Sequence, residues 1–384
     1  MIKQEVNELK RLYTPSNCSI TRICGCYVDG EKNKKTQFKE AFLSLPEEEI
    51  FKYFELLRKA LSGTLGKNLL DLEFPLASEQ EGGTQEFLLR LRESKLKDDT
   101  LLDEFYDKIV ASYEYVGNYL ILLIHDAYDV PGKTTDGLTM EDASDSVFEY
   151  LLCCICPVNL SKPGLSYDAL ANEFHNRVRD WVVEMPEVGF LFPAFNDRSS
   201  DLHSTLYYTK NPEEPHSELV DQILGATLPL TAGSQKETFQ ALIEETLGQD
   251  AEYEVVKSIH ENLTEMIEEH KEIPEPLMLD KHQVKNLFEK SGVVEEKLTD
   301  FDKLYDAAAG EDTSLMVNNV ANTRTFEVKT PDVVVRVNPE RADLVNTLFI
   351  EGKRCLVIEI NDHVEVNGVT VRTGESTESG SSFS

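Results

Sequence analysis

Six of the seven cysteines lie in two short, apolar segments that are far apart in the chain. Both segments have the composition of a buried β-strand. Side chains alternate between the two faces of a strand, so Cys24 and Cys26 should share one face, as should Cys154 and Cys156. If the two strands meet, these four thiolates could form a tetrahedral metal site, and zinc is the ion that such a site would take.

The spacing within each cysteine pair argues against that site. One residue separates the two cysteines, which places their sulfur atoms roughly 6.5 to 7 Å apart on a straight strand. Each zinc–sulfur distance is about 2.3 Å, so two ligands of one ion need a bend in the chain. Gly25 permits a bend in the first pair, whereas Ile155 does not obviously permit one in the second. We therefore favour buried structural thiols in adjacent strands of one sheet, with zinc binding and a redox or nucleophilic cysteine as alternatives.

A nucleophilic cysteine needs a neighbouring base. The candidates are His125, His175 and His203, because each is predicted near one edge of the sheet that would hold Cys154 and Cys156. The chain lacks the G-x-S-x-G, H-E-x-x-H and dinucleotide-binding motifs. Its glycine-containing loops also lack the spacing of a phosphate-binding loop. No established catalytic motif therefore supports an enzyme.

A second group of candidates is polar. His175 and Arg179 lie in segment 166–185, which is predicted to be a helix, and Asp197 and Arg198 lie in the predicted loop of a hairpin. Side chains of these types hold phosphate or carboxylate groups. They define one alternative function, a hydrolase or transferase that acts on a phosphorylated or carboxylated small molecule. That hypothesis requires the four side chains to line one concave pocket.

The charge of the chain is strongly negative and unevenly distributed. The formal net charge is −32, and residues 211–312 contain 25 acidic residues against 8 lysines, a difference of −17. Such a field repels the phosphates of free nucleic acid and favours a partner with a basic surface. The partner that we expect is a protein or ribonucleoprotein, such as the ribosome. A solvated helical surface without a partner and a mimic of nucleic-acid charge are the alternatives.

Three features indicate a cytoplasmic protein. No stretch approaches eighteen consecutive apolar residues, so a membrane span is not expected. The first ten residues read as a charged amphipathic helix rather than an export signal, and an odd number of cysteines is consistent with free thiols in a reducing compartment.

The hydrophobic pattern predicts an α+β fold with a central mixed or antiparallel sheet. Helices are predicted within 36–62 and over 166–185, and strands over 20–28, 119–124, 147–158, 189–195 and 202–209. The predicted buried stripe of the helix at 166–185 consists of Tyr167, Leu170, Phe174, Val178, Trp181, Val182 and Met185. The predicted domains are 1–210 with the helices and sheet, 211–312 as an acidic helical region, 313–372 as a small β unit, and 373–384 as a disordered tail.

Four segments carry a family resemblance: ITRICGCYVDGE at 20–31, FLSLPEEE at 42–49, CPVNLSKPGLS at 156–166 and GFLFPAFNDR at 189–198. Together they resemble a bacterial family catalogued as a domain of unknown function. The resemblance covers nearly the whole chain up to the tail. It implies one shared architecture in a bacterial cytosol, and it brings no reaction, cofactor or site residue.

The sequence thus favours a non-catalytic binding or regulatory protein whose acidic surface engages a basic partner. An enzyme that uses His175, Arg179, Asp197 and Arg198 is the first alternative. A thiolate metal protein is the second.

Overall fold

A computed structural model describes residues 1–133, 139–248, 251–360 and 364–371. The chain forms two compact units, Met1–Gln235 with Ile273–Pro276 and Lys236–Glu272 with Leu277–Ser384. The predicted domain boundaries after residues 210 and 312 stay predictions. The predicted disordered tail, 373–384, lies outside the described residues.

Local sequence signals explain where the first helices begin. Pro46 precedes α2, and three glutamates occupy its first turn, where the helix dipole favours negative charge. Asp98 caps α4 by accepting hydrogen bonds from the backbone N–H groups of Thr100 and Leu101. The first six helices are α1 (Lys3–Lys10), α2 (Glu47–Ala60), α3 (Thr84–Glu93), α4 (Asp99–Ser112), α5 (Ser217–Leu219) and α6 (Ala232–Leu247).

The first unit is built on one antiparallel sheet of eight strands. Its order is β2-β1-β4-β5-β9-β12-β3, with β8 paired to the end of β5, and every pairing within it is antiparallel. The strands of this unit are β1 (Arg22–Val28), β2 (Lys34–Ala41), β3 (Leu69–Glu73), β4 (Asn118–Lys133), β5 (Thr139–Leu160), β6 (Leu165–Asp168), β7 (Glu173–Asn176), β8 (Trp181–Val183), β9 (Val188–Phe192), β10 (Ala194–Asn196), β11 (Ser199–Asp201) and β12 (Ser204–Thr209). The predicted α+β class with a central antiparallel sheet is confirmed.

Both faces of the sheet are covered, so the central strands are apolar on both sides. On β4, Ile121 and Leu123 pack in the core that α3 and α4 close, whereas Leu122 and Ile124 pack in the opposite core with residues of α1 and α2. A strand buried on both faces reads as a continuous apolar run, which is how 119–124 appears in the sequence. The sheet is therefore the middle layer between two helical layers.

Two helix predictions are wrong. Residues 36–41 belong to β2, an edge strand paired with β1, and its Phe38 ring lies against Gly25, where a side chain would collide with it. Segment 166–185 contains the strands β6, β7 and β8 instead of one helix. In both segments the apolar residues fall at helical spacing, but the backbone groups pair with a neighbouring strand.

The second unit has an acidic helical part and a β part. In α7 (Tyr253–Glu269), the apolar residues Ile259 and Leu263 are buried. Asn367 and Gly368 both have positive φ and form the turn between the last two strands. The elements are α7 (Tyr253–Glu269), β13 (Met278–Leu279), α8 (Lys281–Lys290), α9 (Phe301–Ala308), β14 (Leu315–Met316), α10 (Val317–Val320), β15 (Phe326–Lys329), β16 (Val334–Val337), β17 (Val345–Ile350), β18 (Lys353–Ile358), β19 (Val364–Val366) and β20 (Val369–Val371).

Candidate functional site

The cysteine-rich strands lie in one sheet, but they are not adjacent. Strand β4 runs between β1 and β5, and Leu123 is the register partner of Cys24 on one side and of Cys153 on the other. Two strand spacings put those two cysteines roughly 9.5 Å apart. The expectation of neighbouring strands is therefore corrected, because β4, the strand that directly precedes β5 in the chain, lies between β5 and β1.

The four cysteines considered as zinc ligands are divided between the two faces of the sheet. Cys24 and Cys26 pack in the core below α4, whereas Cys154 and Cys156 pack in the core below α2. The structure does not bring these four thiols together. Among the described residues, no group of three or more histidine, cysteine, aspartate or glutamate side chains is placed to hold a metal ion.

The buried thiols are poor nucleophiles. Burial raises the pKa of Cys24 and of Cys26 to about 11. Burial also raises the pKa of Cys153, Cys154 and Cys156 well above the usual range for a thiol. The reactive form of cysteine is the thiolate, so these side chains are neutral, apolar core groups near neutral pH.

The candidate bases interact with carboxylates rather than with thiols. His125 is buried on β4, which lowers its pKa, and its Nε2 atom lies 3.7 Å from Oε2 of Glu149. His203 is exposed, and the hydrogen bond between its Nδ1 atom and Oε1 of Glu79 (2.6 Å) raises its pKa. The hydrogen bond to Glu79 positions the ring of His203, whereas neither ring nitrogen of His125 has a hydrogen-bond partner among the described residues.

His175 and Arg179 lie on exposed backbone instead of a helical face. His175 is on β7, opposite Ser166, and its Nδ1 atom lies 2.9 Å from the carbonyl oxygen of Asn176. The Nε atom of Arg179 donates a hydrogen bond to the carbonyl oxygen of Ser161 (2.7 Å). Both of these contacts are to backbone carbonyl oxygens within residues 160–185.

Asp197 and Arg198 lie together in the turn between β10 and β11, where both have positive φ. The guanidinium of Arg198 donates to both carboxylate oxygens of Glu8 (3.2 and 2.9 Å) and to the carbonyl oxygen of Pro131 (3.1 Å). Both residues line a cavity of about 290 Å³ with residues of α1, including Glu5 and Glu8. His175 and Arg179 do not line that cavity. Because Arg198 is already paired and its neighbours are acidic, this cavity is a poor site for a phosphate.

The feature that sequence reasoning missed is a β-ribbon, residues 160–185, which we call the docking arm. The two strands of the ribbon are antiparallel. Their residues pair in a single register, from the pair Leu160–Trp181 at the base to the pair Asp168–Glu173 near the tip. Between these pairs, the N–H of Ser161 donates to the carbonyl of Asp180. The side chain of Asp168 closes the tip by accepting backbone hydrogen bonds from Leu170 and Ala171. The arm is a two-stranded hairpin that extends from the end of β5 and contains β6, β7 and β8.

The docking arm exposes an unusual amount of apolar surface. The exposed fraction is 71% for Phe174, 56% for Trp181 and 100% for Leu170. The rings of Tyr167 and Phe174 are directly opposite each other, with centroids 5.3 Å apart. Other exposed apolar side chains of the arm are Leu160, Leu165, Val178, Val182, Val183 and Met185. Side chains alternate along each strand, so the register places Phe174 with Tyr167, Leu165 and Val178 on one face of the arm and Trp181 with Leu160 on the other.

Charged groups accompany the apolar residues on the arm. Lys162, Arg177 and Arg179 are exposed there, and Asp168 and Glu173 face each other at the tip. Interfaces typically combine aromatic anchors and arginines with a polar rim. The composition of the arm therefore fits recognition of a protein surface.

In the second unit, α7 presents a row of carboxylates to solvent. Glu261, Glu265, Glu268 and Glu269 are exposed, while the opposite side of the helix buries Leu263. Glu268 pairs with Lys271 at 3.1 Å, and Glu261 lies 3.8 Å from Lys257. Glu265 and Glu269 have no ion-pair partner among the described residues, so α7 carries excess negative charge on its exposed side.

Comparison with known proteins gives a family and no activity. A family model described as "Domain of unknown function (DUF4317)" matches residues 1–369. No curated protein matches the chain. Within the residues that the structure describes, no helix is both long enough and apolar enough to cross a membrane.

Proposed function

The chain belongs to the DUF4317 family, which carries no assigned reaction, and we propose that it is a non-catalytic binding protein whose partner is a second protein with a basic surface. One observation carries the proposal, the exposed aromatic and aliphatic surface of the docking arm. Tryptophan and tyrosine provide much of the binding energy at protein interfaces, and Trp181 shares a face of the arm with the exposed Arg177 and Arg179. The candidate catalytic groups are buried, locally paired or apart from one another.

The negative net charge of the chain favours a basic partner over a second copy of the same chain. Two copies with a net charge of −32 each would repel at long range. A protein with a positive surface is attracted instead, and the exposed carboxylates of α7 supply a local source of that attraction. Basic proteins of a nucleic-acid-associated machine such as the ribosome fit this description, in a bacterial cytoplasm. Free nucleic acid does not, because its phosphates carry the same sign of charge as the chain.

Reversing the charge of α7 should slow association with the partner. We expect the change of Glu261, Glu265, Glu268 and Glu269 together to lysine to lower the association rate by about tenfold at low salt, because long-range attraction steers the encounter. The difference should shrink as salt screens the charges. The measurement is surface plasmon resonance at several salt concentrations, with the partner identified by crosslinking from the arm and then purified.

A matched control separates local attraction from net charge. Replacing Glu289, Glu295, Glu296 and Glu311 by lysine makes the same change in net charge elsewhere in the second unit, and all four are exposed. We expect a smaller effect from this control. Equal association rates for the two variants would refute a specific role of α7, and an unchanged rate in both would refute the basic partner.

A further inference from the structure

The second unit contains a cavity of about 600 Å³ that the proposed function does not use. It is lined by residues of α6 and α7, by the hairpin strand β15 with the loop before it, and by residues near 339–342. Its volume lies within the range of pockets that bind small organic molecules, about 300 to 1,000 Å³. Many ligands would fit a cavity of this size, so the chemical class of the ligand must be inferred from the residues that line it.

One side of the cavity is apolar and aromatic. Phe239, Val320 and Ala342 are buried and form apolar lining. The rings of Phe326 and Tyr253 are half-buried, and Phe326 lies edge-on to His260, with centroids 6.3 Å apart. Such surfaces accommodate a flat ring by stacking or edge contact.

The cavity also carries positive charge within a strongly acidic chain. Lys236, Lys257 and Lys329 line it, and neither Lys236 nor Lys329 has an ion-pair partner among the described residues. The Nζ atom of Lys257 is buried and donates to Oδ1 of Asn346 (2.9 Å) and to the carbonyl of Val345 (3.3 Å).

The acidic residues of the lining do not cancel this charge. Arg336 pairs with Glu327 at 2.5 Å. Glu261 is exposed and lies 3.8 Å from Lys257. Two lysines are therefore left to attract an anion at the mouth of an aromatic cavity.

We propose that this cavity binds a small planar organic anion, a ring of nucleobase size that carries one phosphate or carboxylate group. The ring would lie against Phe326 and Tyr253, and the anionic group would meet Lys236 and Lys329. The side-chain amides of Gln240 and Asn322, which line the same cavity, can form hydrogen bonds with the edge of a heterocycle. Phosphate and carboxylate share this recognition chemistry, so the experiment must separate them.

The test is calorimetric titration of the full chain with the four ribonucleoside monophosphates and with an aromatic carboxylate, benzoate. The matching nucleosides and inorganic phosphate test whether ring and anion are both needed. We expect at least one ring-bearing anion to bind below about 1 mM, and its nucleoside or its free anion to bind at least tenfold more weakly. Binding of benzoate without the nucleotides would support the proposal and identify the group as a carboxylate.

Lysine variants locate the site. Replacing Lys236 and Lys329 by glutamine should weaken binding of that anion at least tenfold. Replacing the exposed Lys290 and Lys353, which do not line the cavity, should leave it unchanged. Lack of any binding at about 1 mM, or equal binding by the Lys236/Lys329 variant and wild type, would overturn the proposal.

Discussion

Replacing Phe174 and Trp181 of the docking arm together by alanine is expected to weaken partner binding by about 30-fold or more. Each ring is largely exposed in the free chain, and truncation of a central aromatic anchor typically costs about 2 kcal/mol or more of binding free energy. The free energy of unfolding should change by only about 0.5 kcal/mol or less, because neither ring lies in a core. The measurement is titration of the purified partner, with thermal unfolding of both chains as the check on folding.

Two exposed apolar residues outside the arm provide the control for this prediction. Leu43 and Phe51 are 66% and 42% exposed. Replacing both by alanine removes a comparable kind of surface, and the affinity should stay within about twofold of wild type. If this control weakens binding as much as the arm variant does, apolar exposure in general would explain the interaction and the arm would have no specific role.

The second large effect concerns stability. Phe105 of α4 is fully buried against Tyr106 and Phe190, and its change to alanine should lower the free energy of unfolding of the first unit by about 3 to 5 kcal/mol. The change of Phe174 to alanine should cost about 0.5 kcal/mol or less. Chemical denaturation followed by circular dichroism measures both, with the transition of the first unit fitted separately.

This pair of variants also tests the corrected structure of segment 166–185. A helix there would bury Phe174 in its apolar stripe, so its removal would cost several kcal/mol, as removal of Phe105 does. An equal loss of stability in the two variants would contradict the exposed arm.

The sheet was largely predictable because buried strands leave a simple pattern. The apolar run at 119–124 and the strands that flank it are read directly from composition. The docking arm was not predicted by the same reasoning, because its strands β6 and β7 have only four residues each, too few for their alternation of apolar and polar residues to outweigh a helical pattern. Its apolar residues happened to fall at helical spacing, and Ala169, Leu170 and Ala171 at the tip favour helix. Only the backbone pairing of β6 with β7 distinguishes the two structures.

The candidate sites, too, could be predicted only in part, because they depend on contacts between residues that are distant in sequence. The spacing of the cysteines indicated that Cys24 and Cys26 share a face, and they do pack in one core. That β4 lies between β1 and β5 depends on strand order, which spacing does not encode. Likewise, Asp197 and Arg198 were recognised as a polar pair, but the partner of Arg198 is Glu8, at the other end of the first unit's sequence. The cavity of the second unit is lined by residues of separate helices and a hairpin, so no local sequence motif predicts it.

The most direct test of the proposed function is photo-crosslinking from the arm in living cells. A benzophenone amino acid placed at position 174 should form an adduct with another protein, which mass spectrometry should identify as one with a basic surface. The same group at position 43 should not form that adduct. Absence of any adduct from position 174, or adducts only with a second copy of this chain, would contradict the proposal that the docking arm binds a basic partner.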